Sequence, residues 1–163
     1  MLLSTLGLLA CREAAMPQQA FVQGDYAAAF KAWSRLADEG DSLAQNYLGI
    51  LYQLGLGVSP DANQAQHWYR LAARQGNADA QRNLGTVYQF GLGLPQDNLL
   101  AYAWYYAAWQ RGNRRALVSM SAMANQLTPN QLMKAKAMAE EWFAGKPSPG
   151  AAGSPASPPP PDS

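Results

Sequence analysis

Apolar and small residues in the middle of the chain recur at helical spacing. One set lies at i, i+4, i+5 and i+8, on one face of a helix: Ala44, Leu48, Gly49 and Tyr52. A second set gives the following helix the same kind of face: Ala65, Trp68 and Ala72. A glycine-rich stretch, Gly55 to Gly57, separates the two sets. Since glycine adopts a positive φ at little cost, the pattern predicts a helix-turn-helix pair.

This pair of helices is present twice. Residues 41–76 and 77–112 match without a gap at 15 positions when they are offset by 36 residues. The identities include the Leu-Gly pair, the Gly-Leu-Gly turn and the Trp-Tyr pair of the second helix. Weaker matches extend the period outward. They predict that residues 25–39 form the second helix of an incomplete unit, and that Asn113 begins a further one.

The residues between the helices suit helix ends. Asp41, Asn77 and Asn113 each follow a glycine, and Asp and Asn are preferred N-caps. Asp61 and Asp97 are placed to cap the second helices. The glycine of the Leu-Gly pair lowers helix propensity, so we expect it to permit close contact between helices.

These residues resemble the Sel-1-like repeat family, a relative of the tetratricopeptide repeats. The shared pattern is A-Q-x-x-L-G-x-x-Y-x-x-G-x-G, followed by D-x-x-x-A-x-x-W-Y-x-x-A-x-x-x-G, within a resemblance that covers about residues 25–143. It implies an all-α fold, a right-handed α-α superhelix (solenoid) of helix-turn-helix repeats that scaffolds protein complexes, often at the bacterial envelope. Some cysteine-rich members carry a β-lactamase label, but the single cysteine of this chain, Cys11, does not reproduce their pairs.

A terminal capping helix is predicted after the repeats, within a repeat domain assigned to residues 25–145. Thr128 suits the N-cap, Pro129 the first helical position, and Gln131 a capping box. Its apolar side comprises Leu132, Ala135, Ala139, Trp142 and Phe143. Such a helix shields the end of a solenoid from solvent.

An aromatic stripe distinguishes the second repeat. Tyr102, Tyr106 and Trp109 lie at i, i+4 and i+7, where the preceding repeat has Gln66, Arg70 and Ala73. The stripe is interpreted either as a binding surface for a partner protein or as a face covered by the capping helix. The second interpretation is preferred.

Composition argues against an enzyme. The net charge is +1, charged residues make up 14% of the chain, and there is one cysteine and one histidine. These counts disfavour metal hydrolases and histidine-based catalysis, and they indicate no binding of nucleic acid. We therefore assign no catalytic, metal or cofactor residues.

The leading functional hypothesis is an adaptor that binds another protein or peptide on the concave surface of the repeats. Candidate contacts lie off the apolar face of the first helices: Asn46, Gln53, Arg82 and Gln89. The equivalent positions of Gln53 and Gln89 suggest a ladder of amides along a peptide backbone, although both could simply be exposed helix residues. The alternative is an envelope hydrolase or ligand-binding protein acting on peptidoglycan or β-lactams.

The two ends differ from the repeats. Residues 1–24 begin with an uncharged apolar run that ends Leu8-Leu9-Ala10-Cys11, which resembles a bacterial lipobox and would place a lipid on Cys11. This interpretation predicts the periplasm, with a possible anchor in the membrane. The alternative is an apolar helix packed on the first repeat in a cytoplasmic protein. Residues 146–163 are rich in proline and predict a disordered tail.

Overall fold

The computed structural model describes residues 17–143, and within that range all regular secondary structure is helical. Residues 17–22 are helical and are named α1. The seven helices that follow are α2 (Tyr26–Asp38), α3 (Ser42–Leu54), α4 (Ala62–Arg74), α5 (Ala78–Phe90), α6 (Asn98–Gln110), α7 (Arg114–Ala124) and α8 (Pro129–Glu141). They belong to two compact units that divide between Trp68 and Tyr69, and each unit is described by itself. The predictions for the lipobox at Cys11 and for the proline-rich tail lie outside the described residues.

The predicted N-caps are confirmed. The side chains of Asp41, Asn77 and Asn113 accept hydrogen bonds from the backbone N–H three residues later, at 2.7, 2.9 and 3.0 Å. Asp97 accepts from two backbone N–H groups, both at 2.9 Å. Each contact satisfies a donor that the first turn of a helix leaves without a partner, so the repeat boundaries are set by local chemistry.

The glycine turns are also confirmed. Gly55 and Gly91 end α3 and α5 in the left-handed conformation, with φ of 66° and 65°. Their backbone N–H groups donate to the carbonyls of Leu51 and Val87. Equivalent positions of the two repeats therefore end their first helices in the same way.

The first unit has its core between α2 and α3. Ala29, Trp33 and Ala37 of α2 are buried in a cluster with Ala44, Leu48 and Leu51 of α3. The ring of Trp33 stacks on Tyr47 with centroids 4.1 Å apart and planes within 2° of parallel. Gln45 is buried with them and donates to the carbonyl of Ala37 at 3.2 Å. The prediction of a helix over residues 25–39 is confirmed, with Asp25 as its N-cap.

The second unit repeats the buried glutamine bond of the first. Gln81 donates to the carbonyl of Ala73 at 3.1 Å, as its counterpart Gln45 does in the first unit. The close approach predicted at Gly85 is confirmed, since a Cβ added there would lie 2.6 Å from the ring of Tyr105. In the Trp-Tyr pair, tryptophan was expected to be the core residue. Tyr69 is instead the buried member, and Trp68 is only partly buried against the core of the first unit.

The capping helix is confirmed as α8. The Thr128 hydroxyl accepts from the N–H of Gln131, whose side chain accepts from the N–H of Thr128, and Pro129 is at the start of the helix. The helix packs on α6 and buries Ala135 and Ala139. Trp142, just beyond its end, lies 4.4 Å from the ring of Trp104.

Candidate functional site

The aromatic stripe of α6 runs from the interior to the surface. Tyr102 is buried, Tyr106 is half-buried, and Trp109 keeps 40% of its surface exposed. The rings of Tyr102 and Tyr106 are 6.4 Å apart and nearly parallel, while Tyr106 and Trp109 are 5.7 Å apart and inclined at 49°. The capping helix therefore covers part of the stripe and leaves its C-terminal end in contact with solvent.

A cleft opens between α6 and α8 beside this end of the stripe. Its volume is about 230 Å³, and it is lined by Tyr106, Ala107, Gln110, Arg111, Ala139, Glu140 and Phe143. The hydroxyl of Tyr106 donates to Oε1 of Glu140 at 3.1 Å and accepts from Nε2 of Gln110 at 2.9 Å. Burial, and then the adjacent Glu140 carboxylate, raise the pKa of Tyr106. Because pockets for small molecules usually enclose about 300 Å³ or more, this cleft suits a contact made by part of a larger ligand.

A cation lies at the edge of the cleft. The guanidinium of Arg111 sits 3.8 Å from the centroid of the Phe143 ring, and desolvation lowers its pKa. Arg111 forms no ion pair with any residue of the part that the structure describes. The ammonium of Lys136 is 5.9 Å from the ring centroid of Tyr106. The cleft thus combines aromatic faces with the positive charge of Arg111, which is not paired with an acidic residue of 17–143.

The candidate groove residues have internal roles. Asn46 is buried, with 4% of its surface exposed, so the expectation that it lies off the apolar face was wrong. The Gln89 side-chain carbonyl accepts the Tyr105 hydroxyl proton at 2.6 Å, so half of this amide is already engaged. Gln53 is half-buried and already interacts with another group of the protein. The guanidinium of Arg82 donates to the side chain of Asn83 at 2.9 Å. Since Gln53 and Gln89 belong to different units, the proposed amide ladder stays a prediction.

The polar cluster around Tyr105 was not predicted from the sequence. The hydroxyl of this residue lies 3.1 Å from that of Thr86 and donates to the side-chain carbonyl of Gln89. Burial raises the pKa of Tyr105, with smaller opposing effects from its hydrogen bonds and from Arg82. The sequence contained one signal for this cluster, since tyrosine recurs at the equivalent positions 69 and 105 of the two repeats. The cluster joins α5 and α6 and is structural in character.

Two further kinds of site receive no support from residues 17–143. No group of three or more His, Cys, Asp or Glu side chains there could hold a metal ion. Within the same range, no helix has both the length and the apolar character to cross a membrane. His67 is exposed, with its ring 5.3 Å from that of Trp68.

Known proteins with the same repeat were found both by sequence and by structure. The family model for the Sel1 repeat matches residues 42–77 and 78–113. A protective antigen of uropathogenic Escherichia coli strains that displays an SLR fold superposes with a TM-score of 0.76 at 30% identity, over 82% of this chain and 30% of the antigen. The chain thus spans less than a third of the length of that protein. No curated protein matches.

A second solved structure is more similar in length. A Sel1 repeat protein from Oxalobacter formigenes superposes with a TM-score of 0.55 at 35% identity, over 58% of this chain and 71% of that protein. These matches confirm the predicted class, an all-α repeat solenoid. Proteins of this kind are generally scaffolds for protein–protein interaction, and their fold is typically non-catalytic. The chain belongs to the Sel1 repeat family.

Proposed function

We propose that this chain is a small adaptor that binds another protein through the exposed end of the α6 aromatic stripe. The observation that carries the proposal is the 40% exposure of Trp109 beside Tyr106 and Arg111 at the cleft. Tryptophan, tyrosine and arginine are the residues most enriched at binding hot spots. Tyr106 is held by its hydrogen bond to Glu140 of α8, Arg111 by its contact with Phe143, and the Trp109 ring lies against Tyr106. Little side-chain freedom would therefore be lost on binding.

This surface replaces the groove as the leading candidate. Asn46 is buried, and the side-chain carbonyl of Gln89 already accepts from Tyr105, so neither offers a full amide to a peptide. Around Trp109, in contrast, the exposed aromatic surface adjoins a cleft lined by an arginine that forms no ion pair with any residue of 17–143. An apolar contact surrounded by polar groups is the arrangement expected of a protein interface.

The test compares two exposed aromatic residues of the same unit. The full chain, Trp109→Ala and Phe90→Ala are used to capture proteins from the native host, because Phe90 on α5 is also exposed, at 64%. We expect Trp109→Ala to lose a partner that Phe90→Ala retains, and to weaken its binding by about 30-fold, the usual loss at a hot spot. Urea unfolding checks that neither variant is globally destabilised. Identical capture by the full chain and Trp109→Ala would refute the proposal.

The proposed location is the cell envelope. It is supported by the sequence alone, through the Leu-Leu-Ala-Cys run that ends at Cys11. Mass spectrometry of the mature protein from its host tests it, since a lipid on Cys11 is expected. An intact Met1 would contradict it.

A further inference from the structure

The exposed end of the stripe has the chemistry to hold an extended, proline-rich segment. Proline-rich chains bind aromatic-lined grooves in the polyproline II conformation, in which the backbone carbonyls have no internal partners. Tyr106 and Trp109 provide two inclined rings 5.7 Å apart on which prolines can pack. Trp109 also contributes an indole N–H, a donor of the kind that bare carbonyls require.

The chain itself contains such a segment. Pro158 to Pro161 form an uninterrupted run, and 14 residues separate it from Phe143, which lines the cleft. An extended chain covers at most about 3.3–3.6 Å per residue, so 14 residues can span about 46 Å. A 13-residue helix such as α8 is only about 20 Å long. The run can therefore reach any part of the cleft from the point where the chain leaves it.

Charge favours one direction of approach. Asp162 follows the proline run directly, and Arg111 at the edge of the cleft has no ion pair among the described residues. A carboxylate placed beside this guanidinium would form a charge-assisted hydrogen bond. Glu140, on α8, accepts a hydrogen bond from Tyr106 of α6. Its negative charge would disfavour a second carboxylate beside it. Asp162 is therefore expected to pair with Arg111.

We propose that Pro158–Pro161 of this chain dock on Tyr106 and Trp109, with Asp162 paired to Arg111. The segment then covers the surface assigned above to the partner and competes with it. This regulatory consequence rests on the proposed function, whereas the docking does not. Because a short linker gives an effective concentration of about 1 mM, even a contact with a dissociation constant of about 1 mM is half occupied within one chain.

The experiment follows the indole N–H resonance of Trp109 by NMR in the full-length chain without a partner. Loss of the resonance in Trp109→Phe assigns it. The test variant carries Pro158→Ser, Pro159→Ser, Pro160→Ser and Pro161→Ser together. The resonance is expected to shift, and its relaxation by a soluble paramagnetic agent to increase about twofold as the half-occupied state is lost. Asp162→Asn should change the position of the resonance and its paramagnetic relaxation in the same direction as the test variant does.

The matched control is Pro147→Ser with Pro149→Ser, which removes two prolines outside the run and should leave the resonance unchanged. An unaltered Trp109 resonance in the test variant would overturn the proposal. An equal change in the control would also overturn it, by showing no preference for the run. A shift that disappears on tenfold dilution would assign the contact to a second copy and contradict docking within one chain.

Partner capture separates this inference from the proposed function. If both are correct, the test variant binds the partner up to about twofold more tightly, because the half-occupied surface is freed. If Trp109→Ala captures every partner while the resonance still responds to the prolines, the proposed function fails and the docking stands. If Trp109→Ala loses a partner while the resonance does not respond to the prolines, the docking is rejected and the proposed function stands.

Discussion

At the scale of single residues, contacts made by one ring explain much of the second unit. Tyr105 packs against the bare Cα of Gly85, and its hydroxyl donates to Gln89 and lies within hydrogen-bond distance of the Thr86 hydroxyl. A buried hydroxyl must be hydrogen-bonded to avoid a large desolvation cost, and this one is. Gly85 and Tyr105 are therefore coupled, and neither can be changed without affecting the other.

Gly85→Ala tests this coupling through the free energy of unfolding. Alanine is favoured over glycine in a free helix by about 1 kcal/mol, but here its Cβ would lie 2.6 Å from ring atoms of Tyr105. We expect a net loss of about 1–3 kcal/mol, as for other overpacked cores. Urea unfolding provides the measurement, and Ala122→Gly on an exposed part of α7 calibrates propensity alone. A more stable Gly85→Ala chain would disprove the close contact.

Buried tyrosines predict a loss of stability at high pH. Burial raises the pKa of Tyr69, Tyr102 and Tyr105 in the folded chain. The unfolded chain, with tyrosine pKa values of about 10, releases these protons first. The contribution is complete below pH 10 and is lost as the pH rises above it. Urea unfolding at pH 8, 10 and 11 should show this decrease, and Tyr105→Phe should make it shallower. A free energy of unfolding that is constant up to pH 11 would contradict the prediction.

At the scale of helices, local caps and contacts between helices act together. Asn113 caps α7, and its amide also donates to Oδ1 of Asp79 at 2.8 Å and to the carbonyl of Ala78 at 3.4 Å. These bonds join the starts of α7 and α5. Among the described residues, by contrast, the hydrogen bonds of the Thr128 side chain stay within the first turn of α8. The same kind of cap therefore has a wider role at a repeat boundary.

Substitutions at Asn113 separate its two roles. Asn113→Ala removes the cap and the link to α5 and should cost about 2 kcal/mol of unfolding free energy. Asn113→Ser keeps a capping oxygen but loses the amide donor, so about half of that cost is expected. Thr128→Ala, with a cap alone, should cost about 1 kcal/mol. Equal losses for the serine and alanine variants would rule out a contribution from the cap, and an unaffected serine variant would rule out the link.

At the scale of the whole molecule, low charge characterises the chain. The net charge is +1 and only 14% of residues are charged, while the average globular protein has about 25%. Long-range attraction of a partner is therefore weak, and binding at the α6 surface should depend on aromatic contact and local hydrogen bonds. Arg111 is the exception to this weak role of charge, because it lines the cleft and can act on a bound partner directly.

Partner binding should consequently respond little to salt. We expect the affinity of the captured partner to fall by less than about threefold between 50 and 500 mM salt, since screening acts mainly on exposed charges. Arg111→Gln should reduce even this dependence. Titration calorimetry across the salt range measures both, and a fall of 100-fold in the affinity of the full chain would show that electrostatics dominates.

The sequence by itself determined the repeats, the helix ends and the capping helix. These features depend on neighbours along the chain: an Asp or Asn capping the N–H three residues later, or a glycine in the left-handed conformation. Their signatures therefore appear in a single repeat and recur in the next. The aromatic stripe of α6 was recognised for the same reason, from its spacing.

Only the tertiary structure decided which of these side chains remain available. Asn46 and Gln89 read as polar positions off the apolar face, but one is buried and the other bonds a tyrosine 16 residues away. Trp109 stays partly exposed, whereas Tyr106, earlier in the stripe, is bonded to Glu140 of α8. The guanidinium of Arg111 lies over the ring of Phe143, 32 residues later in the chain. Exposure depends on what packs from distant parts of the chain, and helical spacing specifies only the face of its own helix.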